Sequence, residues 1–273
     1  MPEFLATVMT RAFDLLMSPF AGNRAVALSV ISLLFGVVAM WIFKATSDQA
    51  RVRRTRDVFV AHILEMRLYR DDLAVLLKAF AAALWSSIGH LGVNLKPLLA
   101  LLPLILVVVV QLDARFSHAP LGVSGATLVT VALGEGEDAT NVPVSLVPGD
   151  GIVLDAPPVR APASGEISWR IRALGAGRHT LALRAGPTSY DFELATRSGT
   201  GVIGDRRGDS SLDPLVHPGL PRLDPDGPIA RVALRYPKAR YPLLAWQGDW
   251  LAVFILWSLA GGLAAKFLWR VEI

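Results

Sequence analysis

Hydrophobic side chains follow two rhythms along this chain. Up to about residue 112, and again from about 250, they gather in runs of helical length, and in between they alternate in short stretches. Three runs, at residues 25–43, 97–112 and 250–268, approach the length that crosses about 30 Å of hydrocarbon as a helix. The middle one reaches it only when Leu95 and a few neighbours are counted. It is also the oddest, because Lys96 and Pro97 open it, Pro103 interrupts it and Gln111 is the one polar side chain between residues 98 and 112. The spans expected are 24–44, 96–112 and 248–268, with an amphipathic segment at 1–23 and a short tail at 269–273.

Residues 45–95, between the first two spans, predict a helical hairpin or coiled stalk. Val52, Phe59, Ile63, Met66 and Leu73 recur at helical spacings and define one face, flanked by Val60 and Leu64. Arg51, Arg53, Arg54 and Arg56 take the rest of the opening turns. The stretch 73–91 is apolar enough to compete as a fourth span. Lys78, Ser86, Ser87 and His90, and a very short link to Pro97, favour a helix on or dipping into the membrane surface.

After Asp113 the period falls to two. Ile167, Trp169 and Ile171 point one way while Ser168, Arg170 and Arg172 point the other, and Leu181, Leu183, Tyr190, Phe192 and Leu194 continue the alternation. Turn signals PGDG, LGAGR and AGPTS separate these runs. Such spacing predicts an immunoglobulin-like β-sandwich within 113–197, its strands between about 122 and 197 and Trp169 in its core. Residues 198–247, rich in Pro, Gly and Asp, read as an irregular connector. Their last part, ARVALRYPKARYPLLAW, suits an extended segment or an added strand leading back to the third span. The fold class is thus an α+β membrane protein: three transmembrane helices, a cytoplasmic helical hairpin and an extracytoplasmic sandwich.

Composition and charge sharpen this picture. Of 273 residues, 53% are hydrophobic and 18% charged, and the apolar excess sits in the three runs, which excludes an ordinary soluble core. The first run outlasts a signal-peptide core and is followed by KATSDQARVRRTR, without a small-x-small cleavage pattern, so an uncleaved span is expected. Lys44, Arg51, Arg53, Arg54, Arg56, Arg67, Arg70, Lys78 and Lys96 crowd the first connection, which the positive-inside rule places in the cytoplasm. The N-terminus then lies outside and the tail, with Lys266 and Arg270, inside. Trp41, Trp246, Trp250 and Trp269 fall near span ends, where indoles favour the interface. The location expected is a bacterial inner membrane with the large domain periplasmic.

Candidate chemistry is sparse. The net charge of +4 comes without a basic stripe interleaved with aromatics, so no nucleic-acid binding is expected. The absence of cysteine removes disulfides, thiol catalysis and cysteine-ligated metals. His62 and Glu65 form a metal half-site without a matching pair, which reads as a solvated helix face. No serine sits in a nucleophile elbow, and no Asp, Glu or His marks the membrane interior. Neither enzyme activity nor a cofactor or metal is expected, and the Arg-Gly-Asp at 207–209 is read as chance. The basic face of Arg51, Arg53, Arg54 and Arg56 either fixes topology on anionic lipid or docks an acidic partner, a ribosome or RNA. Pro97 in a first helical turn would cost nothing. Pro103 frees the carbonyl of Leu99, a defect that shapes packing or lines a wet groove beside Ser29 and Ser32.

The order of a first span, a basic hairpin opening RVRRTRD and a second span marked by Lys96, Pro97 and Pro103 resembles the YidC/Alb/Oxa superfamily of membrane insertases. The likeness is greatest to its small three-span members, such as the third subunit of the ER membrane protein complex and its archaeal relatives. It covers about residues 24–115 and the last span. The chain departs from the bacterial members in having no arginine in its first span, and in carrying its large domain after the second. The resemblance implies an insertase or chaperone whose client groove involves Ser29, Ser32, Lys96, Pro97, Leu99, Pro103 and Leu106, with membrane-protein clients. The alternative is an accessory or scaffold subunit of an envelope complex, whose sandwich binds a fixed partner protein or a glycan.

Overall fold

A computed structural model describes residues 2–69, 73–134, 136–186, 188–196, 201–210, 213–218, 222–243 and 246–271. It is mixed helix and sheet and divides into two compact units. One joins Met1–Leu28 to Val109–Val253, and the other joins Ser29–Val108 to Phe254–Ile273. Helix α1 (Pro2–Met17) belongs to the first unit. Helices α2 (Arg24–Thr46) and α4 (Leu73–Phe116) are shared between the units, and α3 (Gln49–Leu68) lies in the second. Three helical stretches are long and apolar enough to cross a membrane: Arg24–Thr46, Leu95–Phe116 and Trp250–Trp269.

The sheets of the first unit follow from the two-residue alternation. Strand β1 (Ala126–Leu133) is followed by β2 (Val144–Pro148), β3 (Ile152–Leu154), β4 (Val159–Ala161), β5 (Glu166–Ala173), β6 (Arg178–Ala185) and β7 (Thr188–Ala195). In β5 the residues alternate so that Ile167, Trp169 and Ile171 are buried, with Trp169 2% exposed. Its neighbour β1 presents Val129 opposite Trp169 and Val131 opposite Ile167. Antiparallel β2, β6 and β7 form a second sheet, whose Leu181, Leu183, Phe192 and Leu194 join the same hydrophobic core. The expectation of Trp169 at the core is met.

The boundary expected at residue 197 is corrected. Strands β8 (Arg206–Gly208) and β9 (Ile229–Leu234), inside the supposed connector, extend the larger sheet to the order β3-β5-β1-β9-β8, with β4 also on β5. Strand β9 pairs along β1 and buries Ile229, Val232 and Leu234. Its buried positions, spaced three and then two apart around a register shift against β1, lack the strict alternation of β5, and the strand is brief and hemmed in by proline and glycine. A unit ending at 197 would strip β1 of one neighbour and the core of Ile203, Leu223, Ile229, Val232, Leu234 and Tyr236. Parts of that supposed connector, at 197–200, 211–212, 219–221 and 244–245, lie outside the described residues.

Arg207 of the Arg-Gly-Asp triplet is 6% exposed and stacks on the rings of Tyr190 and Phe192, at 5.3 and 5.1 Å. Its guanidinium donates to the carbonyls of Asp191 and Arg222, and burial lowers its pKa. A side chain so enclosed is a bolt between the two sheets rather than an adhesion signal.

The end of α4 is tied into the first unit by buried arginines. Arg115, fully enclosed, donates to the carbonyls of Gln111 and Thr10 and to Asp14 Oδ1 at 2.6 Å, and lies over Phe13. This locks α1 to α4. Arg24 donates to the carbonyls of Arg115 and His118, a cation on the exposed carbonyls of a helix C-terminus. Asn23 caps the start of α2 through the amides of Ala25 and Val26. The hairpin of β10 (Tyr241–Leu243) and β11 (Trp246–Gly248) then leads into α6 (Trp250–Trp269), after the single-turn helix α5 (Asp213–Val216). Asp249 caps α6 through the amide of Ala252.

In the second unit α2 and α6 run parallel, with Gly36 against Ser258 and Gly262, Gly261 against Leu33, and Lys44 donating to the carbonyl of Trp269. Two parallel helices are what the first and third of three successive spans must be.

The break expected near residue 92 is absent. Helix α4 is continuous for 44 residues, about 66 Å at the α-helical rise, and both Pro97 and Pro103 lie inside it. Pro97 therefore does not sit in a first turn. It leaves the carbonyl of residue 93 without its helical partner, as Pro103 does that of residue 99. The strong helix formers before Pro97, rich in Leu and Ala, carry the helix through. Residues 73–91, expected as a separate surface helix or a fourth span, are the first half of this helix.

Candidate functional site

The second unit holds the most open apolar surface among the described residues. Helix α3 is capped by Asp48, whose side chain accepts from the amide of Arg51 at 3.1 Å, and it returns towards the start of α4. Between α3 and α4 lies a groove of about 510 Å³, with Val58, Trp85 and Ile88 on its walls, Arg54 and His62 on one side and Gly89 on the other. Trp85 is 77% exposed, which is extreme for so large an apolar side chain.

The groove belongs to a longer feature. Leu73, Leu77, Phe80, Leu84, Ile88, Leu91, Leu95, Leu98, Leu102 and Leu106 are all exposed and follow one another at steps of three or four residues. That spacing keeps them on one side of a helix. An apolar stripe thus runs from the beginning of α4 to beyond Pro103, without regard to where the span was expected to begin. Sequence reasoning missed its first half by treating Lys96-Pro97 as a helix boundary. The signal was present in the unbroken spacing through it.

The expected site residues are distributed unevenly. Leu99 and Leu106 are 58% and 57% exposed, Pro103 and Lys96 are exposed too, and Pro97 is buried. Ser32 is fully buried on α2 and Ser29 half-buried. Leu99, Pro103 and Leu106 therefore share one accessible face, whereas Ser32 is enclosed and meets different surroundings. Of the basic face, Arg51, Arg53 and Arg54 are exposed, and Arg56 is half-buried and pairs with Asp57 at 3.3 Å. His62 Nδ1 lies 3.3 Å from Glu65, and no cluster of three or more metal-ligating side chains occurs among the described residues.

No protein-family model, curated protein or solved structure matches this chain. The groove combines the apolar surface of Val58, Trp85 and Ile88 with the polar side chains of Arg54, Thr55, His62 and Ser86, a lining that suits the holding of an apolar segment.

Proposed function

We propose that this chain is a bacterial inner-membrane protein of insertase or chaperone type, without enzymatic activity, that shelters apolar segments of other membrane proteins during insertion or assembly. The stripe on α4 carries the reading. Leu95–Phe116 is long enough to cross the bilayer, so Leu73–Leu91 would project beyond it. Exposed leucines within the bilayer meet lipid at no cost. The same row continued into water is unfavourable unless something covers it, at about 25 cal/mol per Å² of apolar surface. A client's apolar segment, passing along α4 from the cytoplasm into the membrane, would cover it in stages. The two backbone carbonyls freed by Pro97 and Pro103 give polar client groups a partner partway along.

In this reading the hairpin of α3 and α4 is cytoplasmic, with Arg51, Arg53 and Arg54 against anionic headgroups. The two sheets form a periplasmic immunoglobulin-like sandwich for protein contacts. The resemblance to the YidC/Alb/Oxa superfamily supports the same assignment. A single fixed partner helix would also cover the stripe, and that is the accessory-subunit alternative.

Two measurements test the proposal. Because the chain lacks cysteine, single cysteines at Arg54 and Ser145 report sidedness directly. Arg54 is expected to be labelled only after the inner membrane is opened, and Ser145 from the periplasmic side. Purified protein in liposomes is expected to raise the protease-protected fraction of a small single-span client several-fold over empty liposomes. Labelling of both cysteines from one side would refute the topology, and no gain in protection would refute the insertase assignment.

A further inference from the structure

A second groove, of about 470 Å³, opens where β1 begins and β9 runs out. Its floor is Leu121, Ala126, Leu128 and Pro237, and its rim carries Arg170 and Arg235. Leu128 stands opposite Arg170 on β5, and its carbonyl accepts from the amide of Arg235 at 3.0 Å on the other side. Arg170 on β5 and Arg235, one residue past the end of β9, therefore flank β1, roughly 10 Å apart from the spacing of strands in a sheet. Both are exposed. Asp155 is engaged by Arg172 through three hydrogen bonds of 2.8–3.1 Å and pairs with Arg170 at Nε, at 3.2 Å. That engagement holds the Asp155 carboxyl below its usual range.

The groove is built directly onto the end of the apolar helix. The amide of Ala119 donates to the carbonyl of Pro237 at 2.8 Å, Ala239 donates to Ser117, and His118 bridges Lys238. Tyr241 Oη donates to the carbonyl of Phe116, the last residue of α4. Lys238 and Arg240, both exposed, continue the basic character along this junction.

We infer that this groove binds one anionic phospholipid from the leaflet that α4 leaves. The phosphate lies between Arg170 and Arg235, and the glycerol and first acyl carbons lie on Leu121, Leu128 and Pro237. Two guanidinia astride an apolar floor match an anion attached to a hydrocarbon. The hydrogen-bonded continuity with the helix end selects a lipid over a soluble acidic peptide. The inference rests on the reading that Leu95–Phe116 spans a membrane.

The test uses the full chain in nanodiscs of mixed phosphatidylglycerol and phosphatidylcholine, with lipids retained after gentle release counted by native mass spectrometry. Wild type is expected to retain one phosphatidylglycerol in preference to phosphatidylcholine. Each basic residue at an anionic surface contributes about fivefold, so Arg170→Gln with Arg235→Gln should cut that preference roughly 25-fold. Arg206→Gln with Arg231→Gln, the same loss of charge away from the groove, should leave it unchanged. Equal retention by both double variants, or capture of an acidic protein in place of lipid, overturns the inference. Failure of the chain to enter nanodiscs at all overturns the membrane reading instead.

Discussion

Trp169→Ala is expected to destabilise the sheet domain by about 3–5 kcal/mol, the usual cost of truncating a core aromatic. Trp169 is 2% exposed on β5, faces Val129 across the ladder, and shares its core with side chains of both sheets. Neither strand β9 nor the smaller sheet can close over the void, because their own side chains are already buried. Hydrogen exchange at the β1 and β5 amides reads the change directly and should quicken by about two to four orders of magnitude, at 1.4 kcal/mol per factor of ten. A loss below about 1 kcal/mol would mean that the core lies elsewhere.

Gly261→Leu is expected to separate α2 from α6. A Cβ at Gly261 would lie 2.2 Å from the carbonyl oxygen of Leu33, and one at Gly36 would lie 1.9 Å from that of Ser258. Backbone cannot yield as a flexible side chain does, so the helices must move apart. Small residues at such crossings permit the close approach on which helix association in lipid depends. A cost of about 3 kcal/mol, the upper part of the usual range for overpacking, should appear as a lower midpoint of unfolding in mixed detergent. Gly92→Ala, where nothing lies within 4 Å, serves as the control and should be neutral or stabilising. Equal behaviour of the two variants would contradict the parallel packing of α2 and α6.

Much of the architecture was legible in hydrophobic spacing. The three long apolar helices follow from run length alone, and β5, β6 and β7 from strict alternation. Two features were only partly legible. Strand β9 falls in a stretch suited to an added strand, but its buried residues are irregularly spaced and Pro228 and Pro237 bracket it. Its place in the sheet comes from pairing with β1, a contact across nearly a hundred residues that local pattern does not reveal. The continuity of α4 was hidden by Pro97, since a proline ends most helices in water yet is tolerated inside apolar ones. Of the candidate site, Leu99, Pro103 and Leu106 were legible as one face. The enclosure of Ser32 depends on how its helix packs. The buried partnership of Arg115 with Asp14 and Thr10 joins α1 to the far end of α4, and no local spacing announces it.

The most direct test of the functional account is what touches the stripe on α4. Photo-crosslinking residues placed one at a time at Leu84, Leu99 and Leu106 sample it from the projecting half to beyond Pro103, and Leu259 on α6, 59% exposed, samples a surface expected to meet only lipid. The account predicts that all three α4 positions capture several different small membrane proteins in growing cells, while Leu259 captures lipid or nothing. Capture of one and the same stoichiometric partner at every α4 position would contradict it and establish the chain as a fixed subunit of a larger complex.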